Sequence, residues 1–187
     1  MLTKFRYQSR FIFINLIYGI RNLIKWFPII WKNREWDHYY IYEILKFKLE
    51  NQSQYLKNQG RHVSSKRDSE KMMLCVKLCK IQQEETYATE YLDYQKSEHS
   101  FNPIEIDGQR YYEMDSRIIE DSFDSYFSKY PRQYNKAVSG KINRFNLGHE
   151  YRKEKEMIAM EIALENQERS RRILFKIMED NIDKWWS

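Results

Sequence analysis

Apolar residues recur at helical spacing in five stretches of the chain, and this pattern predicts a mainly α-helical fold. The first stretch covers residues 5–27, and Pro28 is expected to end or kink this helix because proline lacks a backbone donor. A second helix is expected to begin after Asp37, whose carboxylate can cap free backbone amides, and to end near Gly60. Its predicted buried stripe contains Ile41, Ile44, Leu45, Leu49 and Leu56.

A third helix is expected to lie at the centre of the fold, because residues 72–81 are apolar on most sides. Its pattern continues as far as Tyr94. The two cysteines of the chain, Cys75 and Cys79, lie four positions apart within it. Their apolar surroundings favour two buried reduced thiols over zinc ligands, which would need closer cysteine spacing and two further partners.

The region that follows is expected to contain a short β-hairpin at residues 104–112. Asp107-Gly108 suits its tight turn, because both central residues of such a turn need positive φ. A short helix is then predicted to begin at Asp115 or Ser116 and to stop at Pro131. Residues 132–148 are expected to be irregular.

The last segment, residues 149–186, contains neither Pro nor Gly and predicts one long helix. Two apolar groups lie along it, and residues 165–172 between them are polar all round, so this stretch should lack a core seam. The chain is therefore expected to divide into a helical core domain with the hairpin, residues 1–148, and a C-terminal helix, residues 149–187, that can project from it. The predicted fold is mainly α, with about five helices, the short hairpin and this long final helix.

Positive charge is concentrated at the start of the chain. Residues 1–34 contain seven Lys or Arg and no Asp or Glu, whereas the whole chain of 187 residues carries a formal net charge of only +5. Such a segment, interleaved with aromatic residues, can contact phosphates or an anionic membrane surface, or it can be the solvated face of an amphipathic helix. Arg21 and Lys25 interrupt the apolar run before the ~20 residues that a membrane-spanning helix needs. We therefore expect neither a spanning helix nor a cleaved signal peptide, and a soluble intracellular protein.

The densest group of chemically useful side chains lies at residues 31–49. Aromatic side chains there offer flat faces for a nucleobase, and the cations offer donors for phosphate. The amides of the following helix add positive potential. The predicted ligand-binding residues are Trp31, Lys32, Arg34, Trp36, Asp37, Tyr39, Tyr40 and Lys46. The alternative is that the tryptophans belong to the core and the cations only flank a turn.

The same segment resembles a group of small uncharacterised bacteriophage proteins over roughly residues 20–57. The resemblance rests on the string W-K-x-R-x-W-D-x-x-Y followed by an I-L-x-x-K-L helix. It implies a phage origin and a location in the bacterial host cytoplasm during infection or in the virion, and it brings no catalytic residue. The matching positions are Trp31, Lys32, Arg34, Trp36, Asp37, Tyr40, Leu45, Lys48 and Leu49.

Three functions remain open from the sequence. The first is a non-enzymatic protein that binds a nucleotide or nucleic acid, and that in a phage could sequester a host defence nucleotide signal. The second is a virion accessory or interaction protein that docks on a virion or host protein through the basic N-terminal helix or through Trp185 and Trp186. The third is a metal-dependent phosphohydrolase using carboxylates such as Glu161 and Glu165, although interleaved cations favour ordinary salt bridges there. We predict a homo-oligomer and no cofactor, metal site or catalytic residue.

Overall fold

Seven helices and a two-stranded hairpin make up the part of the chain that the structure describes. The structure is a computed structural model that describes residues 2–32, 37–60, 63–145 and 154–185, with side chains from residue 12 onward. The mainly helical class, the single hairpin and the long C-terminal helix are as predicted. In chain order the elements are α1 (Leu2–Lys32), α2 (Tyr39–Gln59), α3 (Ser65–Gln83), α4 (Thr86–Thr89), a 3-10 turn (Glu90–Tyr94), β1 (Gln95–Ile106), β2 (Gln109–Asp121), α5 (Phe123–Lys129), α6 (Pro131–Val138), α7 (Lys155–Asn181) and a final 3-10 turn (Ile182–Trp185).

The limits of α2 follow from local chemistry. Asp37 Oδ1 accepts the backbone N–H of Tyr39 at 2.8 Å, and Gly60 closes the helix in the left-handed region at φ 55°. Both predicted boundaries are confirmed. Part of the predicted stripe is wrong, because Ile41 is 65% exposed and Tyr42 is buried in its place.

The first hydrophobic core joins α2 and α3 to the second half of α7. Ser53 and Ser69 share a hydrogen bond of 2.8 Å between their buried hydroxyls, which satisfies both groups where α2 crosses α3. The buried members of this core are Tyr42, Leu49, Leu56, Met72, Cys75, Val76, Leu78, Cys79, Leu174 and Trp185.

A second hydrophobic core joins α5, α6 and the first half of α7. Tyr91 and Tyr94 from the 3-10 turn and Ile118 from β2 pack against it. Its buried members are Phe123, Tyr126, Phe127, Ala137, Ile158, Ala159 and Ile162. Because α7 contributes to both cores, this one helix connects the two halves of the molecule.

Two helices end at residues other than those considered in the sequence analysis. Pro28 was expected to end or kink the first helix, and it does not end it, because α1 continues to Lys32. Pro28 is exposed, so the carbonyl of Ile24, which loses its donor, can be hydrated. The third helix does not continue to Tyr94, because Glu85 adopts φ 49° and ends the helical path after Gln83.

The hairpin is much longer than residues 104–112. Its strands pair antiparallel from Gln95 opposite Asp121 to Ile106 opposite Gln109. The predicted turn at Asp107-Gly108 is confirmed by φ values of 51° and 74°. The start predicted for the next helix at Asp115 or Ser116 is wrong, because both residues lie in β2 and the helix, α5, begins at Phe123.

The region after the hairpin also differs from its prediction. The helix α5 stops just before Pro131 as predicted, but Pro131 also begins α6, because proline fits the first helical position, where its missing N–H is not needed. Residues 132–148 are expected to be irregular, and this prediction is wrong for the first part of the range, because α6 extends to Val138.

One side of the polar middle of α7 is packed, because Asn166 and Ser170 are buried while Arg169 is exposed, so the expectation that this stretch projects is wrong. Gln82 Nε2 donates to Ser170 Oγ and to the carbonyl of Gln167, and Gln167 Nε2 donates to the carbonyl of Ile81. These bonds attach α7 to α3 by polar packing, which a search for an apolar stripe does not detect. Trp185, predicted as a docking residue, is only 3% exposed, and Trp186 lies outside the described residues.

Candidate ligand-binding site

The predicted site lies where α1 meets α2, and two of its members, Arg34 and Trp36, lie outside the described residues. Trp31 is 73% exposed at the end of α1, and its ring stacks on Phe27 with centroids 5.3 Å apart. Lys32 beside it is also exposed. This end of α1 therefore offers an aromatic face and a cation to solvent.

Three further members of the predicted set lie at the start of α2. Asp37 is used as the helix cap. The rings of Tyr39 and Tyr40 meet edge to face with centroids 5.3 Å apart. The backbone carbonyl of Tyr39 accepts a hydrogen bond of 3.3 Å from Gln83 Nε2, which holds the start of α2 against the end of α3.

The charge of Lys46 is already compensated. Its Nζ lies 2.5 Å from Glu43 Oε2 and 3.0 Å from Gln83 Oε1. Burial alone would raise the pKa of Glu43, but hydrogen bonds from Gln83 and Lys46 and the nearby charges of Lys46 and Lys32 hold it below its ordinary value. Lys46 therefore has a structural partner, whereas Lys32 is exposed.

A cleft that the sequence did not predict opens between α6 and α7. Its volume is about 510 Å³, within the range of small-molecule sites. The side chains around it come from α3, α4, α6, α7 and the end of α5. They are Leu78, Tyr87, Lys129, Tyr130, Pro131, Arg132, Gln133, Asn166, Arg169, Ser170 and Ile173.

The charge of this cleft is positive. Arg132 and Arg169 are exposed, and within the described part of the chain neither has an ion-pair partner. Lys129 is paired with Glu90, whose side chain is itself mostly buried. No acidic residue is among those that line the cleft. Two guanidinium groups are thus available for an anion.

A buried amide beside the same cleft is only partly satisfied. Asn166 is only 7% exposed, and its Oδ1 accepts a bond of 3.3 Å from Gln133 Nε2. Its Nδ2 has no hydrogen-bond partner among the described residues and has almost no accessible surface. This nitrogen is therefore a destabilising feature of the packing and is not open to a ligand in the cleft.

Aromatic and backbone groups complete the cleft. The Tyr130 hydroxyl donates to Glu90 Oε2 at 2.7 Å, which fixes the ring. Burial, followed by this bond and the charge of Glu90, raises the pKa of Tyr130, so the phenol is protonated at neutral pH. Tyr130 is followed by Pro131, which has no N–H, and the first residues of α6 line the same cleft, so the start of this helix lies beside it.

Carboxylates and thiols that could have formed a metal site have other roles. Glu161 accepts the backbone N–H of Arg144 at 2.9 Å, and Glu165 pairs with Arg144 and Arg172. Burial raises the pKa of Cys75 to about 11 and that of Cys79 to about 12, so both thiols are protonated at neutral pH. Within the described ranges, no group of three or more His, Cys, Asp or Glu could hold a metal ion.

Comparisons with models of protein families, with curated proteins and with solved structures find no match. The bacteriophage resemblance of residues 20–57 therefore stays a prediction. In the described part of the chain, no helix has the length and hydropathy needed to cross a membrane.

Proposed function

We propose that this protein binds a phosphate-bearing aromatic ligand, a nucleotide, in the cleft between α6 and α7 and does not act on it chemically. The observation that carries the proposal is the pair of exposed guanidinium groups, Arg132 and Arg169, in a cleft without an acidic lining residue. Arginine presents a rigid fork of donors that matches phosphate oxygens, and such charge-assisted bonds are stronger than neutral ones.

The other cleft residues suit the remaining parts of a nucleotide. The rings of Tyr87 and Tyr130 provide aromatic surface for a base, and the partly buried amide of Gln133 provides a polar group for a sugar or base oxygen. The first turn of α6 adds the positive potential of a helix start to that of the arginines. In a phage, a protein of this kind would sequester a nucleotide signal of host defence.

The nature of the ligand can be found by releasing what the purified protein carries. Wild-type protein would be heat-denatured and the supernatant analysed by its 260/280 nm absorbance ratio and by mass spectrometry. We expect a nucleotide from the wild type and at least about tenfold less from an Arg132→Gln/Arg169→Gln variant, because each lost charge-assisted bond is worth about 1.5–3 kcal/mol.

The control is Arg117→Gln, which removes an exposed arginine of β2 that does not line the cleft. Its nucleotide content should equal that of the wild type. A nucleotide retained by the double cleft variant but lost from Arg34→Ala and Trp36→Ala would move the binding site to the α1–α2 junction and contradict the cleft assignment.

A further inference from the structure

From residue 12 onward, the first helix exposes almost all of its apolar side chains. Among them, only Trp26 and Ile29 are partly covered. The other large hydrophobic side chains of α1 are each about half exposed or more. They are Ile12, Phe13, Ile14, Leu16, Ile17, Tyr18, Ile20, Leu23, Ile24, Phe27, Ile30 and Trp31. A contiguous apolar surface of this length on a soluble monomer is unusual and indicates an interaction site.

The apolar face points away from the rest of the molecule. An α-helix has about 3.6 residues per turn, so five of these apolar residues share one side of α1. They are Phe13, Leu16, Ile20, Phe27 and Trp31. Trp26 lies on a different side, and its ring packs edge-on against Phe47 of α2 with centroids 4.8 Å apart. The helix is therefore attached to α2 through Trp26, and its broad apolar face is left to solvent.

The charges of α1 indicate what covers this face. The helix carries six Lys or Arg and no Asp or Glu. Arg21, Lys25 and Lys32 are exposed, and their spacing places them together along one flank of the apolar face. A second copy of α1 packed on this face would bring twice that positive charge together with no acidic residue from either helix, whereas anionic lipid headgroups would neutralise it.

We propose that α1 binds an anionic lipid bilayer, lying parallel to the surface with its apolar face among the upper parts of the acyl chains. Arg21, Lys25 and Lys32 would then lie at the level of the lipid phosphates. The exposed ring of Trp31 suits the boundary between headgroups and acyl chains, where tryptophan is enriched. Basic amphipathic helices with aromatic and aliphatic residues on the apolar face bind bilayers in this way.

The full-length protein can be tested by flotation with vesicles of phosphatidylcholine containing an equal share of phosphatidylglycerol. Vesicles of phosphatidylcholine alone serve as the uncharged comparison. We expect binding to the anionic vesicles, at least about tenfold weaker binding to the uncharged ones, and weakening as salt rises, because the attraction depends on unscreened charge.

Paired variants separate the apolar face from net charge. Ile20→Glu/Ile24→Glu places two carboxylates on the apolar face, and Asn15→Glu/Asn22→Glu places the same charge on the opposite side of α1. All four positions are exposed, so the body should fold in both variants. We expect the first to lose vesicle binding by at least about tenfold more than the second, since only it adds charge to the membrane-inserted surface.

Three results would overturn the proposal. One is a wild-type protein that does not float with anionic vesicles, and another is equal loss of binding in the two paired variants. The third is a wild-type dimer, measured by light scattering, that ignores vesicles and becomes monomeric with Ile20→Glu/Ile24→Glu. That result would assign the apolar face to a second copy, and none of the three would affect nucleotide release from the cleft.

Discussion

At the scale of single residues, Tyr126 combines complete burial with an unsatisfied hydroxyl. Its side chain has no exposed surface in the second core, and its oxygen has no hydrogen-bond partner among the described residues. Burial, followed by the charge of Glu90, raises the pKa of Tyr126. The buried ring therefore stabilises the core through apolar contacts, whereas the hydroxyl destabilises the fold because it is buried without a hydrogen bond.

Replacing Tyr126 by phenylalanine is expected to leave the free energy of unfolding unchanged or to raise it by up to about 1 kcal/mol, because the substitution removes a buried polar group without changing the ring. Urea denaturation of the wild type and of Tyr126→Phe would measure this difference. A loss of more than about 1 kcal/mol would show that the hydroxyl has a partner in the folded protein.

Local chemistry at single residues also sets how far the sequence predicted the fold. The cap at Asp37, the glycine end at Gly60 and the turn at Asp107-Gly108 were all predicted, because each depends on one or two residues and their own backbone. The break at Glu85 was missed, because a glutamate in the left-handed region has no local sequence signal.

At the scale of elements, the hairpin lies mostly outside the two hydrophobic cores. Its two strands pair with each other alone, and most of their side chains are exposed. Ile118 is the exception in β2, since it packs against the second core. The two strands stay paired beyond the predicted residues, because each cross-strand pair satisfies backbone N–H and C=O groups. This pairing does not depend on apolar spacing, so the sequence pattern does not predict its length.

Shortening the hairpin should therefore have little effect on the body. A variant in which Asn-Gly replaces residues 99–116, so that Glu98 and Arg117 flank the new turn, is expected to unfold within about 3 °C of the wild type, since the removed side chains lie mostly outside the cores. Calorimetry would measure the transition. Ile118→Ala in the full chain is the matched comparison and should lower the midpoint more, and the opposite order would contradict this assignment.

At the scale of the whole molecule, α7 determines where the candidate site lies. Ile162 belongs to the second core and Leu174 to the first, while Asn166 and Ser170 between them are buried through polar bonds. The cleft opens beside this polar middle. Its lining combines the cations Arg132 and Arg169 with apolar side chains such as Leu78 and Ile173.

This arrangement also explains why the cleft could not be predicted. Arg132 follows a proline at the start of α6, and Arg169 lies in a polar stretch of α7 that looked solvated. Only packing of α6 on α7 brings the two side chains to one cleft. The α1–α2 segment was noticed because its chemistry is contiguous in sequence, although Lys46 in fact pairs with Glu43.

Calorimetric titration with a panel of mononucleotides and cyclic dinucleotides tests the central claim most directly. The account predicts that at least one of them binds with one site per chain, and that Arg132→Gln and Arg169→Gln each weaken binding by about tenfold or more, with Arg117→Gln unchanged. Saturable binding that both cleft variants retain at full affinity, or no binding of any nucleotide at millimolar concentration, would contradict it.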